Sequence, residues 1–173
     1  MPRVLKTDPV IIKLPARLMA TVTTVGDPNV VGELAIPALY GAVYPLKFAL
    51  KKLNIEYKIE ALRARWPDAH LVPKEQWTAI WAIPVPDDTT EVVQKVPNVT
   101  VELETWRYGT VAQILHLGPY TAEGPTVAFL HQFIIDSGYE IAGPHEEEYV
   151  TRPDAKAQKT IVRYQVRKVT VSS

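Results

Sequence analysis

Residues 20–28 read ATVTTVGDP and residues 112–120 read AQILHLGPY. Laid over one another they place Ala20 against Ala112, Val22 against Ile114 and Gly26 against Gly118. Each is a strand-like run, β-branched in the first, that stops at turn chemistry, Gly-Asp-Pro in the first and Gly-Pro in the second. A second echo follows downstream, where Pro37 meets Pro125 and Leu39 meets Val127. The matches are weak singly. Together they predict a duplicated chain, with one order of elements (strand, helix, strand, strand) over about residues 10–95 and again over about 97–168.

In the first half, Val10 to Val25 reads as extended. From Pro37 to Leu53 the period changes: Leu39, Val43, Leu46, Leu50 and Leu53 recur at helical spacing. Pro37 suits the first turn of that helix, and Lys47, Lys51 and Lys52 suit its C-terminal half. Pro45 falls inside it, where the ring meets the carbonyl of Gly41 and predicts a kink. YKIEALRARW (57–66) and QWTAIWAIPV (76–85) read as strands, and the polar stretch Asp87 to Lys95 as one or two helical turns.

In the second half, Val99 to Leu117 is strand-like with an interruption near Tyr108-Gly109. Pro125 to Ser137 reads as a helix with Gly138 placed to end it. YEIAG (139–143) reads as a short strand, and KTIVRYQVRKV (159–169) as a clear alternating one. The expected fold is α+β, one domain over residues 1–173. It consists of duplicated β-α-β-β units with antiparallel sheet and helices on one face. Two such units pair most simply about a pseudo-two-fold axis, and a groove at that seam is a natural ligand site.

Composition narrows the function. The chain has 173 residues, 47% hydrophobic and 22% charged, with a formal net charge of zero. No basic patch points to nucleic acid, and no polybasic run points to a membrane surface. No apolar run approaches the ~20 residues of a membrane span, and the first 25 residues lack a signal peptide's apolar core. A cytoplasmic location is expected, with no membrane partner and no direct nucleic-acid partner. There are no cysteines, which removes thiolate chemistry. The histidines (His70, His116, His131, His145) are scattered, with no i, i+4 pair and no HExxH, so no metal and no cofactor are expected. His116 is expected to brace the turn at Gly118-Pro119-Tyr120. No glycine-rich phosphate loop occurs. Ser137, Ser172 and Ser173 stand in no nucleophile elbow.

The candidate binding residues are acidic and aromatic. In HEEEY (145–149), alternation puts Glu147 and Tyr149 on one face of an extended segment and Glu146 and Glu148 on the other. Glu146 and Glu148 are read as solvated. Tyr40 and Tyr44 sit four apart on the first helix and share a side. Trp77 and Trp81, four apart on a strand, face the same way. Trp66 and Trp106 complete the four tryptophans, which would wall a flat or cationic ligand.

These residues resemble a known family. His116, Gly118, Tyr120, Gly138, Tyr139, Glu147, Tyr149 and Pro153 match the pattern of the GyrI-like small-molecule-binding domain. IPALYGAVYPLKFALKK (36–52) and EQWTAIWAIPVPDD (75–88) resemble its stand-alone branch, which has no DNA-binding domain. The resemblance covers roughly residues 10–168. The chain departs from the pattern at Arg152, where the family usually has Asp, and at Thr160-Ile161, where drug-sensing relatives often carry an acidic residue.

The resemblance implies a concave, aromatic-lined cleft between the halves. There a hydrophobic, aromatic small molecule would bind, with Tyr149, Trp77, Trp81, Trp66 and Trp106 as lining. It also implies hydrolysis of a strained, cyclopropane-bearing compound, a detoxification chemistry. In that reading Glu147 is the base or charge partner, and Tyr40, Tyr44 or Tyr149 is the proton donor. The alternative is a non-catalytic module that binds or senses cationic drugs. A haem carrier is a third reading. A homo-oligomer stays open.

Overall fold

The computed structural model describes residues 7–152 and 154–170; Pro153, Ser172 and Ser173, named above, lie outside the described residues. The chain divides into two compact units. One is Ala16–Arg107, and the other combines the segment that ends at Pro15 with the segment that begins at Tyr108. Strand β1 (Val10–Leu14) therefore belongs to the second unit, ahead of every element of the first.

The first unit holds β2 (Arg17–Val25), α1 (Pro28–Lys52), β3 (Arg63–Trp66), β4 (Thr78–Pro84) and β5 (Glu102–Trp106). Its strands are antiparallel, in the order β5-β2-β4-β3. The second unit holds β1, then β6 (Gly109–Leu117), α2 (Gly124–Asp136), β7 (Tyr139–Ile141), β8 (His145–Tyr149) and β9 (Lys159–Lys168). Its order is β1-β6-β9-β8, again antiparallel, with β7 pairing along the end of β9. The two orders are the same, so the duplication read from ATVTTVGDP and AQILHLGPY is a duplication of topology.

Each leading strand is exchanged. β1 directly precedes β2 but pairs with β6, while β5 directly precedes β6 but pairs with β2. The long extended readings, 10–25 and 99–117, thus break into two strands each. The first breaks at Pro15, which has no N–H for a ladder. The second breaks at Arg107-Tyr108, just before Gly109, whose φ of +63° suits a residue without a Cβ.

The helices bury one face each. In the second unit, Leu130 and Ile134 of α2 pack on Ala112 and Ile114 of β6 and on Val162, Tyr164 and Val166 of β9. The alternating strand positions and the i, i+4 helical pair are the two periodicities that bring such faces together. In the first unit, Ala35, Ala38, Leu39, Ala42 and Val43 of α1 are buried, as are Ala20 and Val22 of β2. Gly32 of α1 faces the Trp81 indole, and a Cβ there would make ordinary contact, 3.4 Å from Trp81 Cη2.

Several elements differ from expectation. Helix α1 begins at Pro28, not at Pro37. Asp27-Pro28, read as a turn, is the helix start: the Asp27 carboxylate accepts from Asn29 N at 2.9 Å, and Pro28 takes the first turn. Pro37 and Pro45 both lie inside the helix. YKIEALRARW is a strand only over Arg63–Trp66, and Asp87–Lys95 forms no helix. Trp77 precedes β4 and closes a short 3-10 turn, Lys74–Gln76. The end of α2 is as expected. Gly138 has φ +80° and its N–H reaches the Ile135 carbonyl at 3.0 Å. Among the described residues no helix is long and apolar enough to cross a membrane.

Candidate functional site

β8 pairs with β9 so that Glu146 faces Arg163, Glu147 faces Val162, Glu148 faces Ile161 and Tyr149 faces Thr160. Val162 belongs to the core beneath α2. Residues directly opposite on paired strands share a face. His145, Glu147 and Tyr149 therefore stand on the α2 side of the sheet, and Glu146 and Glu148 on the other.

On the α2 side these residues form a closed polar cluster. His145 Nε2 donates to Glu147 Oε1 at 3.0 Å, and the Tyr149 hydroxyl donates to Glu147 Oε2 at 3.0 Å. The Glu123 carboxylate arrives from the N-terminal end of α2 and brings Oε1 to 3.6 Å from the same His145 Nε2. On the far edge of the imidazole, Nδ1 lies 2.6 Å from the Tyr164 hydroxyl. The Tyr120 ring meets Tyr149 edge to face, with centroids 5.5 Å apart. One oxygen of Glu123, Oε2, is buried and makes no hydrogen bond.

Desolvation governs the charges. Burial is the largest influence on Glu147 and drives its carboxyl up to about 7; the neighbouring Glu123 adds to the rise and His145 opposes it. Burial acts to lower His145, but the Glu123 and Glu147 carboxyls outweigh it and hold the imidazole up at about 9. For Glu123 burial is again the largest single influence and pushes upward. Hydrogen bonds with His145 and Glu147 overcome it and keep the group below its usual range. Near neutral pH the cluster is an imidazolium beside the Glu123 carboxylate, with the Glu147 carboxyl titrating close to neutrality. The hydroxyls of Tyr120, Tyr149 and Tyr164 are raised, first by burial and then by the adjacent carboxyls, so all three keep their protons.

The opposite face of β8 corrects the sequence reading. Glu146 and Glu148 are not solvated; they are 2% and 4% exposed. Arg163, equally buried, holds both: its guanidinium reaches Glu146 Oε2 at 2.6 Å and Glu148 Oε1 at 3.3 Å. Its Nε donates to Gln113 Oε1 at 2.8 Å, and the Tyr108 hydroxyl donates to Glu146 Oε2 at 3.0 Å. The planar guanidinium satisfies two carboxylates and an amide at once, which a solvated turn would not require. All three glutamates of HEEEY are thus buried, on two separate faces.

The other residues named from sequence fall in several places. Tyr40 and Tyr44 stack along α1 at 6.0 Å, and Tyr44 continues to Phe48 at 6.1 Å. Trp81 is buried against α1, with its indole N–H on Thr24 Oγ1 at 3.0 Å and its ring edge to face with the buried Trp66 at 6.1 Å. Trp106 is buried under the Arg65 guanidinium, 3.8 Å from the ring centroid. Trp77 donates to the Val72 carbonyl at 3.1 Å. His116 braces its turn as expected, with Nε2 3.0 Å from the Pro119 carbonyl and Nδ1 2.7 Å from Thr126 Oγ1. Of the cluster around Glu147, sequence reasoning named Tyr149 as a partner and missed Glu123, His145 and Tyr164. His145 was findable, because it stands two residues before Glu147 on the same alternating face.

Residues 7–167 match the family model of the GyrI-like small molecule binding domain. Among solved structures, the chain resembles an uncharacterized conserved protein from Listeria innocua. Identity is 25% over 94% of each chain, with a TM-score of 0.81. It also resembles a hydrolase from Listeria innocua, at 25% identity over 95% of this chain and 94% of that one, with a TM-score of 0.79. The EcmrR C-terminal domain shares the fold at 16% identity, over 94% of this chain and 98% of that one, with a TM-score of 0.66. No curated protein matches the sequence.

Proposed function

The chain belongs to the GyrI-like family of small-molecule binding domains, and from that premise we propose that it binds a hydrophobic, aromatic small molecule beside the Glu147 cluster and hydrolyses a strained ring in it. The observation that carries this reading is the placement of Glu147. The residue is 7% exposed, and its carboxyl is held by His145 on one oxygen and Tyr149 on the other. In its carboxylate form, a group positioned this closely can take a proton from water as the water adds to an electrophilic ring carbon. The ring C–C bond breaks, its electron pair moves into a conjugated carbonyl, and a tyrosine hydroxyl protonates that oxygen. Tyr149 is the donor candidate at the cluster. The similarity to a hydrolase at 25% identity supports this class of reaction.

A second reading has its own observation. The Tyr120 and Tyr149 rings meet beside two carboxyl groups, an acidic and aromatic lining suited to an organic cation. In that reading the protein sequesters or senses a cationic drug without turnover.

One paired assay separates the two. Wild type, Glu147→Gln and Tyr149→Phe are incubated with cyclopropane-bearing alkylators and with cationic dyes. Binding is read by dye anisotropy and product by chromatography. Tyr40→Phe and Tyr44→Phe test the two tyrosine hydroxyls on α1. Turnover by wild type that Glu147→Gln abolishes while binding persists supports hydrolysis. Dye binding without product, weakened by Glu147→Gln for cations alone, supports the sensing module. Turnover retained by Glu147→Gln would remove Glu147 from the chemistry.

A further inference from the structure

The donor atoms of Glu123, His145 and Glu147 all lie within 4.8 Å of one another. From this we infer that the cluster is a binding site for a first-row divalent cation, with His145 Nε2 and one oxygen of each carboxylate as ligands. One imidazole and two carboxylates form a mixed N/O set that suits such ions.

The distances agree with coordination. Bonds of about 2.0–2.2 Å require ligand atoms roughly 2.8–3.6 Å apart along the edges of a tetrahedron or octahedron. His145 Nε2 lies 3.0 Å from Glu147 Oε1 and 3.6 Å from Glu123 Oε1. Two edges of the polyhedron therefore fall in that range, and the third pair of ligand atoms, one oxygen from each carboxylate, lies within 4.8 Å. The charges agree as well. A neutral imidazole with two carboxylates carries two negative charges, which a divalent cation neutralises.

Two further features point to a ligand rather than to a self-contained ion pair. Glu123 Oε2 is buried and makes no hydrogen bond, so the protein's own groups leave one carboxylate oxygen unsatisfied. Each of the other two ligands is held from behind by a tyrosine. The Tyr164 hydroxyl lies 2.6 Å from His145 Nδ1 and orients Nε2 toward the carboxylates. The Tyr149 hydroxyl holds Glu147 Oε2 and leaves Oε1 directed at the imidazole. Such outer partners fix the ring and carboxylate orientation of metal ligands. The histidine spacing excluded a metal in the sequence because only one ligand is a histidine, and the third ligand enters from a different element.

The inference stands on the geometry of the cluster and not on the proposed hydrolysis, so the two can fail separately. Protein stripped with chelator and dialysed is titrated with Zn²⁺ by calorimetry in two buffers of different ionisation enthalpy. Co²⁺ absorption reports the ligand field. One Zn²⁺ per chain with proton release is expected, since the imidazole must give up its Nε2 proton. Glu123→Gln and His145→Gln should abolish stoichiometric binding, and Tyr164→Phe should weaken it by about 10- to 100-fold without removing any ligand. Substitution of the exposed His70 by Gln is the control for surface binding and should change nothing. Thermal melts confirm that each variant is folded. Absence of stoichiometric binding, or equal binding by wild type and His145→Gln, would overturn the inference. Dye binding or turnover by the same metal-free protein would leave the proposed function intact.

Discussion

Replacing Arg163 with Met should be the most damaging single change to the second unit. The side chain is 2% exposed and supplies the shared cation for Glu146 and Glu148, through contacts of 2.6 Å and 3.3 Å, while its Nε holds Gln113 at 2.8 Å. Methionine fills much of the volume but withdraws the charge from two buried carboxylates. Breaking a buried pair on one side costs about 3–5 kcal/mol. For a chain of this length each kcal/mol is worth roughly 2–4 °C, so the melting temperature should fall by roughly 6–20 °C. Urea unfolding followed by circular dichroism at pH 7 measures the loss directly. Arg163→Lys keeps the charge but not the fork and should fall between. Adding Glu146→Gln and Glu148→Gln to Arg163→Met removes the stranded charges and should recover roughly half of the loss. A cost below about 1 kcal/mol for Arg163→Met would refute the argument. It would mean that desolvation of the guanidinium already cancels its attraction for the two carboxylates.

Two other predictions concern the first unit. Tyr57 donates to the Pro84 carbonyl at 2.6 Å, and burial, followed by the charge of Glu60 and opposed by Arg17, pushes its hydroxyl from 10.0 up to about 12. A raised pKa means that the folded state retains a proton which the unfolded state releases, so stability should be lost as pH rises from 10 through 12. Tyr57→Phe should remove that alkaline loss and cost about 1–3 kcal/mol at neutral pH for the unpaired carbonyl, both read from denaturant melts. Asp27→Ala should cost ~1 kcal/mol by removing the cap on Asn29 N, with Asp27→Asn nearly neutral in the same melts.

Periodicity and local chemistry carried much of the architecture. The helical spacing of Leu39, Val43, Leu46 and Leu50, the alternation of KTIVRYQVRKV and the glycine at 138 are short-range signals, and each element formed where they stand. The start of α1 was misread because Asp27-Pro28 serves equally as turn and as helix cap, and only the direction of the following chain separates the two. The faces of HEEEY were legible, since alternation is a property of an extended backbone. Their surroundings were not. Glu146 and Glu148 looked like solvated charges because the cation that buries them, Arg163, stands 17 and 15 positions away on another strand.

The sequence by itself determined that the chain is a duplicated α+β protein, that each half carries one helix, and that Glu147 and Tyr149 share a side. Those properties depend on residues a few positions apart. Tertiary structure decided the exchange of β1 and β5, the burial of all three glutamates, and the meeting of Glu123, His145 and Glu147. Strand pairing is set by contacts distant along the chain. A carboxylate's charge, partner and ligand depend on what the fold places within a few ångströms of it.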